Sequence, residues 1–109
     1  MTQAVTDVRL APLDAIPPGE GRVCSLRGED VAVFRTRGGD VFACQAACPH
    51  KGGPLADGLV GGTTVICPLH AWKFDLTTGA ALTGDCAVKT FPVHVNDDGW
   101  IVLSLERPE

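Results

Sequence analysis

The sequence has no apolar segment long enough to span a bilayer, and nothing in it resembles a secretory signal or a transit peptide. We therefore expect a cytoplasmic protein without a membrane anchor. Thirteen acidic residues against nine basic ones give a formal net charge of −4, which argues against binding to nucleic acid or to an anionic membrane surface. The same charge suits docking against a basic surface on a partner protein.

The chain also lacks helical periodicity of useful length, internal repeats and low-complexity tracts. Thirteen glycines and eight prolines instead predict many turns, as in a small β protein. The length of 109 residues predicts a single domain, residues 1–109, with a modest core. The fold class indicated by these features is all-β.

Short runs of β-branched and aromatic residues, bounded by turn signals, predict the strands. Gly38-Gly39-Asp40 is typical of a hairpin turn, and the segment 96–99 is typical of another. Pro92 interrupts a predicted strand and suggests an edge position or a bulge. The predicted strands cover residues 8–13, 21–26, 31–37, 41–45, 63–66, 72–76, 90–95 and 100–105.

Two short motifs each pair a cysteine with a histidine just after a predicted strand. They are Cys48-Pro49-His50 and, after sixteen residues, Cys67-Pro68-Leu69-His70. Zinc fingers usually group two cysteines in one cluster and two histidines in another, whereas each motif here supplies one of each. The mixed pairing suits a [2Fe–2S] centre in the Rieske arrangement, with both cysteines on one iron and both histidines on the other. Structural zinc and four unrelated residues are the alternatives.

The two motifs, together with the segment 72–79 (WKFDLTTG), resemble the Rieske ferredoxin-like family. The resemblance extends from about Val8 to Leu105. It implies a Rieske-type fold of stacked antiparallel sheets, with a small cluster-binding subdomain at about residues 44–80. It also implies a [2Fe–2S] cluster held by Cys48, His50, Cys67 and His70.

The remaining cysteines and two neighbouring side chains are interpreted as mainly structural. Cys24 and Cys44 lie on predicted strands, where we expect them to be packing residues, and Cys86 either packs near the second motif or is inert. An odd remainder without a signal peptide indicates reduced thiols rather than disulfides. Trp72 is expected to pack in the core, and Lys51 either steers a partner or is simply solvated.

The chain contains no tyrosine, and the ligand motifs contain no cysteine beyond Cys48 and Cys67. High-potential Rieske proteins of cytochrome complexes carry an additional disulfide and hydroxyl donors near the sulfur. Fewer donors imply a reduction potential toward the bottom of the roughly −150 to +300 mV Rieske span. Such a potential suits an electron carrier supplied from NAD(P)H.

The sequence shows neither a Gly-x-Gly-x-x-Gly dinucleotide fingerprint nor a candidate 2-His-1-carboxylate iron site. We therefore assign no catalytic residue and no substrate site to this chain. The expected role is that of an electron carrier or oxidoreductase subunit whose substrate chemistry takes place on another chain.

Two kinds of redox partner remain open. The segments 67–73 (CPLHAWK) and 86–93 (CAVKTFPV) resemble the small subunit of assimilatory NAD(P)H nitrite reductase. That resemblance implies nitrate assimilation and a large flavin and siroheme subunit that reduces nitrite to ammonium. The ligand motif fits equally well a ferredoxin that carries electrons from a flavin reductase to an aromatic-ring dioxygenase. The C-terminal segment favours nitrite reductase, and a structural or sensing module is the third hypothesis.

Overall fold

The computed structural model describes residues 5–26, 28–48, 54–68, 71–82 and 87–106. Within these ranges, ten strands form three antiparallel sheets, and the helical segments are two short 3₁₀ turns. The predicted all-β class is confirmed. The strands are β1 (Val5–Pro12), β2 (Glu20–Leu26), β3 (Glu29–Arg35), β4 (Val41–Gln45), β5 (Leu59–Gly61), β6 (Thr64–Ile66), β7 (Lys73–Asp75), β8 (Thr90–Phe91), β9 (Val93–Val95) and β10 (Trp100–Glu106).

The middle layer is a sheet with the strand order β2-β3-β4-β8. Residues 31–34 of β3 are fully buried, which for a strand means burial on both faces because successive side chains alternate. Val31 and Val33 pack in a core with Ile101 of β10. The alternate residues of the same strand pack in a second core, which contains Phe74 of β7. This sheet therefore lies between the other two.

An outer sheet, in the order β1-β10-β9, covers one face of the middle layer. β1 pairs with β10 along most of its length, with Val8 opposite Leu103, and the register shifts between Arg9 and Ala11. The turn from β9 to β10 is held by Asn96, whose Oδ1 accepts hydrogen bonds from the backbone N–H groups of residues 98 and 100 at 3.0 and 2.9 Å.

A third, small sheet of strands β5-β6-β7 covers the other face of the middle layer. Each of its strands is three residues long, and Val65 lies opposite Phe74, with both side chains fully buried. Cys48 comes between β4 and this sheet along the chain, and Cys67 comes between β6 and β7. The third sheet is thus the element that both cysteine-containing segments adjoin.

Most strand ends differ from the predicted bounds by one to three residues, and the strand pattern itself differs at two places. β5 was not expected, because the glycine-rich segment 58–62 carries little strand signal. The strand predicted over 90–95 is divided at Pro92, with β8 in the middle sheet and β9 in the outer sheet. A proline has no backbone N–H to donate, so an uninterrupted ladder through this position is unfavourable. The irregularity predicted at Pro92 therefore takes the form of a crossing between two layers.

Candidate metal centre

Both cysteines of the paired motifs lie in the same buried core. Cys48 is 2% exposed and Cys67 is 1% exposed, and both belong to the cluster that contains Phe74 and Leu55. Neither forms a disulfide. Two reduced thiols enclosed in one apolar environment are the soft donors that an iron–sulfur cluster takes from a protein, and the site fits such a cofactor.

The segment that carries Cys48 is closed at its base by backbone contacts. The backbone N–H of Leu55 donates to the carbonyl oxygen of Ala46 at 3.0 Å, and Ala47 forms an isolated antiparallel bridge with Pro54. A 3₁₀ turn, Leu55–Asp57, follows directly and buries the Leu55 side chain completely. The chain therefore leaves and returns at a fixed point near the end of β4.

The segment that carries Cys67 is closed in a similar way. The backbone N–H of Cys67 donates to the carbonyl oxygen of Trp72 at 2.7 Å, where the chain turns between β6 and β7. Ala71 has φ of 56°, a left-handed conformation that costs a residue with a Cβ about 1–2 kcal/mol. Such strain is found at functional sites where the surrounding structure imposes it. The backbone is therefore fixed at Cys67 on one side and at Ala71 and Trp72 on the other.

Gly58 brings the two cysteine-containing segments together. It follows the 3₁₀ turn, and a Cβ at this position would collide with the carbonyl oxygen of Ile66, the residue before Cys67. A glycine is needed here for close approach rather than for an unusual φ, since its φ is −75°. The backbone after the first segment is consequently packed directly against the strand that leads into the second.

Other residues weighed in the sequence take structural positions. Cys44 is fully buried, and burial raises the pKa of its thiol to about 12. Cys24 is half-buried, and its pKa is raised by burial, an effect that the neighbouring Arg22 partly offsets. The packing roles predicted for Cys44 and Trp72 are confirmed, since Cys44 is a core residue and Trp72 is half-buried against the same core.

Four residues of the sequence predictions lie outside the described ranges, namely His50, Lys51, His70 and Cys86. Within the described ranges, histidine, cysteine, aspartate and glutamate side chains form no group of three that could hold a metal ion. His50 and His70 lie outside the described ranges, so the predicted set of four ligands stays a prediction.

Gln45 is a residue whose role the sequence did not reveal. Its side-chain Nε2 donates to the carbonyl oxygen of Ala47 at 2.7 Å, and its Oε1 accepts from the backbone N–H of Lys89 at 2.8 Å. A polar amide at the last position of a strand, three residues before Cys48, was the available signal. Its partner Lys89 is 44 positions away along the chain, and no local pattern indicates that contact.

Residues 6–95 match the family model of the Rieske [2Fe–2S] domain. The chain belongs to the Rieske [2Fe–2S] family. A relative from a Ralstonia species, the ferredoxin component of naphthalene 1,2-dioxygenase/salicylate 5-hydroxylase systems, is 33% identical over 108 residues, which is 97% of this chain and 100% of the relative.

Solved structures of two functional kinds resemble this Rieske protein over nearly its whole length. The ferredoxin of carbazole 1,9a-dioxygenase from Nocardioides aromaticivorans IC177 is 32% identical with a TM-score of 0.80, covering 90% of this chain and 96% of that one. A putative NADH-dependent nitrite reductase small subunit from Mycobacterium tuberculosis is 27% identical with a TM-score of 0.84, covering 99% of this chain and 100% of that one.

The family establishes the cofactor and the general function of this chain. It is a Rieske electron-transfer protein with a Rieske-type [2Fe–2S] cluster. When bound, the cluster supplies one-electron exchange. The chain itself supplies buried thiols, a closed backbone around each of them and an apolar core that excludes water. Among the residues described, no helix is both long enough and apolar enough to cross a membrane.

Proposed function

We propose that Cys48 and Cys67 bind one iron of the cluster and that His50 and His70 bind the other. The burial of both cysteines in one core, without a disulfide, supports the first half of this assignment. The second half rests on the spacing of each histidine from its cysteine. The residues from about 44 to 80 would form the cluster-binding subdomain of a single domain, 1–109, built around the small third sheet.

The partner is proposed to be the large flavin and siroheme subunit of an NAD(P)H-dependent nitrite reductase, in the cytoplasm. This chain would then be the small subunit that assists reduction of nitrite to ammonium in nitrate assimilation. The similarity to the Mycobacterium tuberculosis small subunit, across nearly all of both chains, is the observation that carries this proposal. The segment 86–93, which resembles that subunit family in sequence, supports it further.

A second candidate is the ferredoxin of an aromatic-ring dioxygenase system, which would pass electrons from a flavin reductase to an oxygenase. The observation that favours it is the identity to the Ralstonia ferredoxin component over the full length of that relative. Both candidates use the same one-electron chemistry, and they differ in the protein that receives the electron.

Affinity capture from the native cells, grown with nitrate as sole nitrogen source, distinguishes the two candidates. We expect the tagged holoprotein to retain a large flavoprotein with the absorption bands of siroheme. Capture of a flavin reductase or a Rieske oxygenase without siroheme would replace this assignment by the dioxygenase one.

Electron transfer can be tested directly with the captured partner. The photochemically reduced protein is mixed with the partner under anaerobic conditions, and its reoxidation is followed by visible absorption. For a nitrite reductase subunit, we expect reoxidation by the siroheme subunit and ammonium formation when nitrite is present. A siroheme partner that binds but never reoxidises the reduced protein would mean that the cluster is not on the electron path.

A further inference from the structure

The side chain of Gln45 joins three separate parts of the chain. It belongs to the last residue of β4, and its two amide atoms reach the backbone of Ala47 and of Lys89 at 2.7 and 2.8 Å. The backbone N–H of Gln45 also donates to the carbonyl oxygen of Lys89 at 2.8 Å. Both backbone polar groups of Lys89 are therefore held by this one residue.

The contact with Ala47 lies immediately before Cys48. Beyond Gln45 the chain leaves the middle sheet, so the carbonyl of Ala47 has no partner in that ladder. The Nε2 group of Gln45 donates to this carbonyl and thereby fixes the orientation of the peptide unit that joins Ala47 to Cys48. A peptide unit directly before a ligand determines the direction in which the side chain of that ligand leaves the backbone.

The contact with Lys89 connects the end of β4 to the part of the chain that follows the second motif. Lys89 directly precedes β8, which pairs with β4 through Thr90 opposite Cys44. The Gln45 side chain thus extends the β4–β8 pairing by one residue at the point where β4 ends. The side-chain amide of Gln45 therefore connects the end of β4 to the segment that carries Cys48 and to the chain that leads into β8.

We infer that Gln45 is a positioning residue for the cluster, acting on Cys48 through the carbonyl of Ala47. The inference rests on the proposed ligation by Cys48. Outer hydrogen bonds of this kind orient metal ligands and change the electronic properties of the metal. Loss of the bond to Ala47 is therefore expected to alter the reduction potential and the EPR g values, in addition to any effect on folding.

A merely structural role predicts a different result, since the same contacts would then only stabilise the end of β4. Asn96 offers the matched control, because its side chain also makes two hydrogen bonds to the backbone, but in the outer sheet on the far side of the middle layer. The Asn96→Ala variant should lower the thermal unfolding temperature and leave the potential and the g values at their wild-type values.

Two substitutions of Gln45 separate its two contacts. Gln45→Met keeps a side chain of similar length and removes both hydrogen bonds. Gln45→Glu keeps an acceptor for the N–H of Lys89 and replaces the donor toward Ala47 by a carboxylate oxygen, which repels the carbonyl. We expect both variants to shift the midpoint potential and the g values of the reduced protein. Protection of residues 87–91 against hydrogen exchange should fall in the Met variant and persist in the Glu variant.

Wild-type g values and potential in both Gln45 variants would overturn the inference, whatever their unfolding temperatures. A shift in the Met variant alone would also overturn it, because the bond to Lys89 rather than the one to Ala47 would then be responsible. A Gln45 variant that fails to bind the cluster is compared with Asn96→Ala. The inference stands if Asn96→Ala retains the cluster although its unfolding temperature is equal to or lower than that of the Gln45 variant. Otherwise the loss reflects folding, and the inference is overturned.

The Cys48→Ala variant distinguishes failure of this inference from failure of the proposed ligation. A native visible spectrum in Cys48→Ala would reject the ligand assignment and the role of Gln45 with it. Loss of that spectrum, together with unaltered Gln45 variants, would reject the role of Gln45 alone.

Discussion

Cys44 and Cys48 lie four positions apart, both are buried in the same core, and only one belongs to a cysteine–histidine motif. Cys44 is on β4, and its Sγ donates to the carbonyl oxygen of Gln45 at 3.3 Å. Cys48 lies beyond the strand, in the segment closed by the contact between Ala46 and Leu55. Burial alone therefore does not separate a structural thiol from a proposed ligand, whereas position relative to the strand end does.

Substitution of the proposed ligands tests this distinction. His50→Ala or His70→Ala should abolish or disrupt the cluster, because under the proposed ligation each substitution removes one of the two imidazole donors to one iron. Cys24→Ala and Cys44→Ala should leave the visible spectrum of the purified protein unchanged. A native spectrum in His70→Ala would contradict the ligand assignment.

The buried thiol of Cys44 also predicts a pH dependence of stability. Its pKa rises from 9.0 to about 12 on folding, so the unfolded chain loses this proton at a lower pH than the folded one. The stabilising effect is complete below about pH 9 and is progressively lost as the pH rises toward about 12. The free energy of unfolding in urea should therefore fall less steeply with alkaline pH in Cys44→Ala than in the wild type. Equal slopes for both proteins would refute this prediction.

At the scale of single residues, the sequence indicated residues whose side-chain type suggests metal binding. It did not indicate residues whose role depends on backbone conformation or on a distant hydrogen-bond partner. The motifs and the strands that precede them indicated that the two cysteines lie just past strand ends, whereas their burial is a finding of the structure. Ala71 gave no such signal, because its left-handed conformation is imposed by the turn between β6 and β7 rather than by its own preference. Gln45 gave none either, since its partner is distant along the chain.

At the scale of single elements, local signals predicted the strands with clear turns best. β4 has the predicted bounds, Val41–Gln45, because the Gly38-Gly39-Asp40 turn before it and the motif after it are unambiguous. β5 was not predicted, because a strand of three residues is stabilised by packing between layers rather than by the strand propensity of its own residues. Pro92 indicated that the last strands are irregular, but the change of sheet there depends on tertiary contacts.

The turn after β7 provides a test at this scale. Gly79 and Gly99 both have φ of 81°, yet a Cβ on Gly79 would collide with the carbonyl oxygen of Val88, whereas one on Gly99 would meet no atom within 4 Å. Gly99→Ala should therefore cost about 1 kcal/mol, the cost of the left-handed conformation alone. Gly79→Ala should cost more than about 2 kcal/mol because the backbone must also shift.

Thermal and urea unfolding of the two alanine variants measures this difference. The side chain of Asp75 accepts from the N–H and the hydroxyl of Thr77 at 2.8 and 2.6 Å, so the turn that contains Gly79 is already fixed at its start. These hydrogen bonds lower the pKa of Asp75, the side-chain contact with Thr77 being the larger cause. Equal losses of stability in Gly79→Ala and Gly99→Ala would show that the backbone at Val88 can move at little cost.

At the scale of the whole molecule, composition predicted the all-β class and the motifs predicted the family, whereas the order of the strands could not be read from the sequence. The pairing of β1 with β10 joins segments that are about as far apart as this chain allows. Such a contact is decided by the fit of two complete faces against the middle sheet, and no window of sequence contains that information.

The reduction potential is a property of the assembled molecule, and we expect it near the bottom of the roughly −150 to +300 mV Rieske span. The absence of tyrosine from the chain removes one source of hydroxyl donors to the cluster sulfurs, and fewer such donors favour the oxidised form. A redox titration monitored by EPR measures this value. A midpoint well above zero would contradict the prediction and would point to donors that the sequence did not suggest.

The partnership between β1 and β10 also has a consequence for biosynthesis. The hairpins β2–β3–β4 and β5–β6–β7 join neighbouring segments and can form while the rest of the chain is still being translated. β1 is made before these hairpins but has no strand to pair with until β10 has left the ribosome. One face of the middle sheet, with Val31 and Val33, therefore stays uncovered until β10 is available to pack on it. A fragment of the chain that ends before β10 should thus bind hydrophobic dyes, even though it contains both cysteine segments.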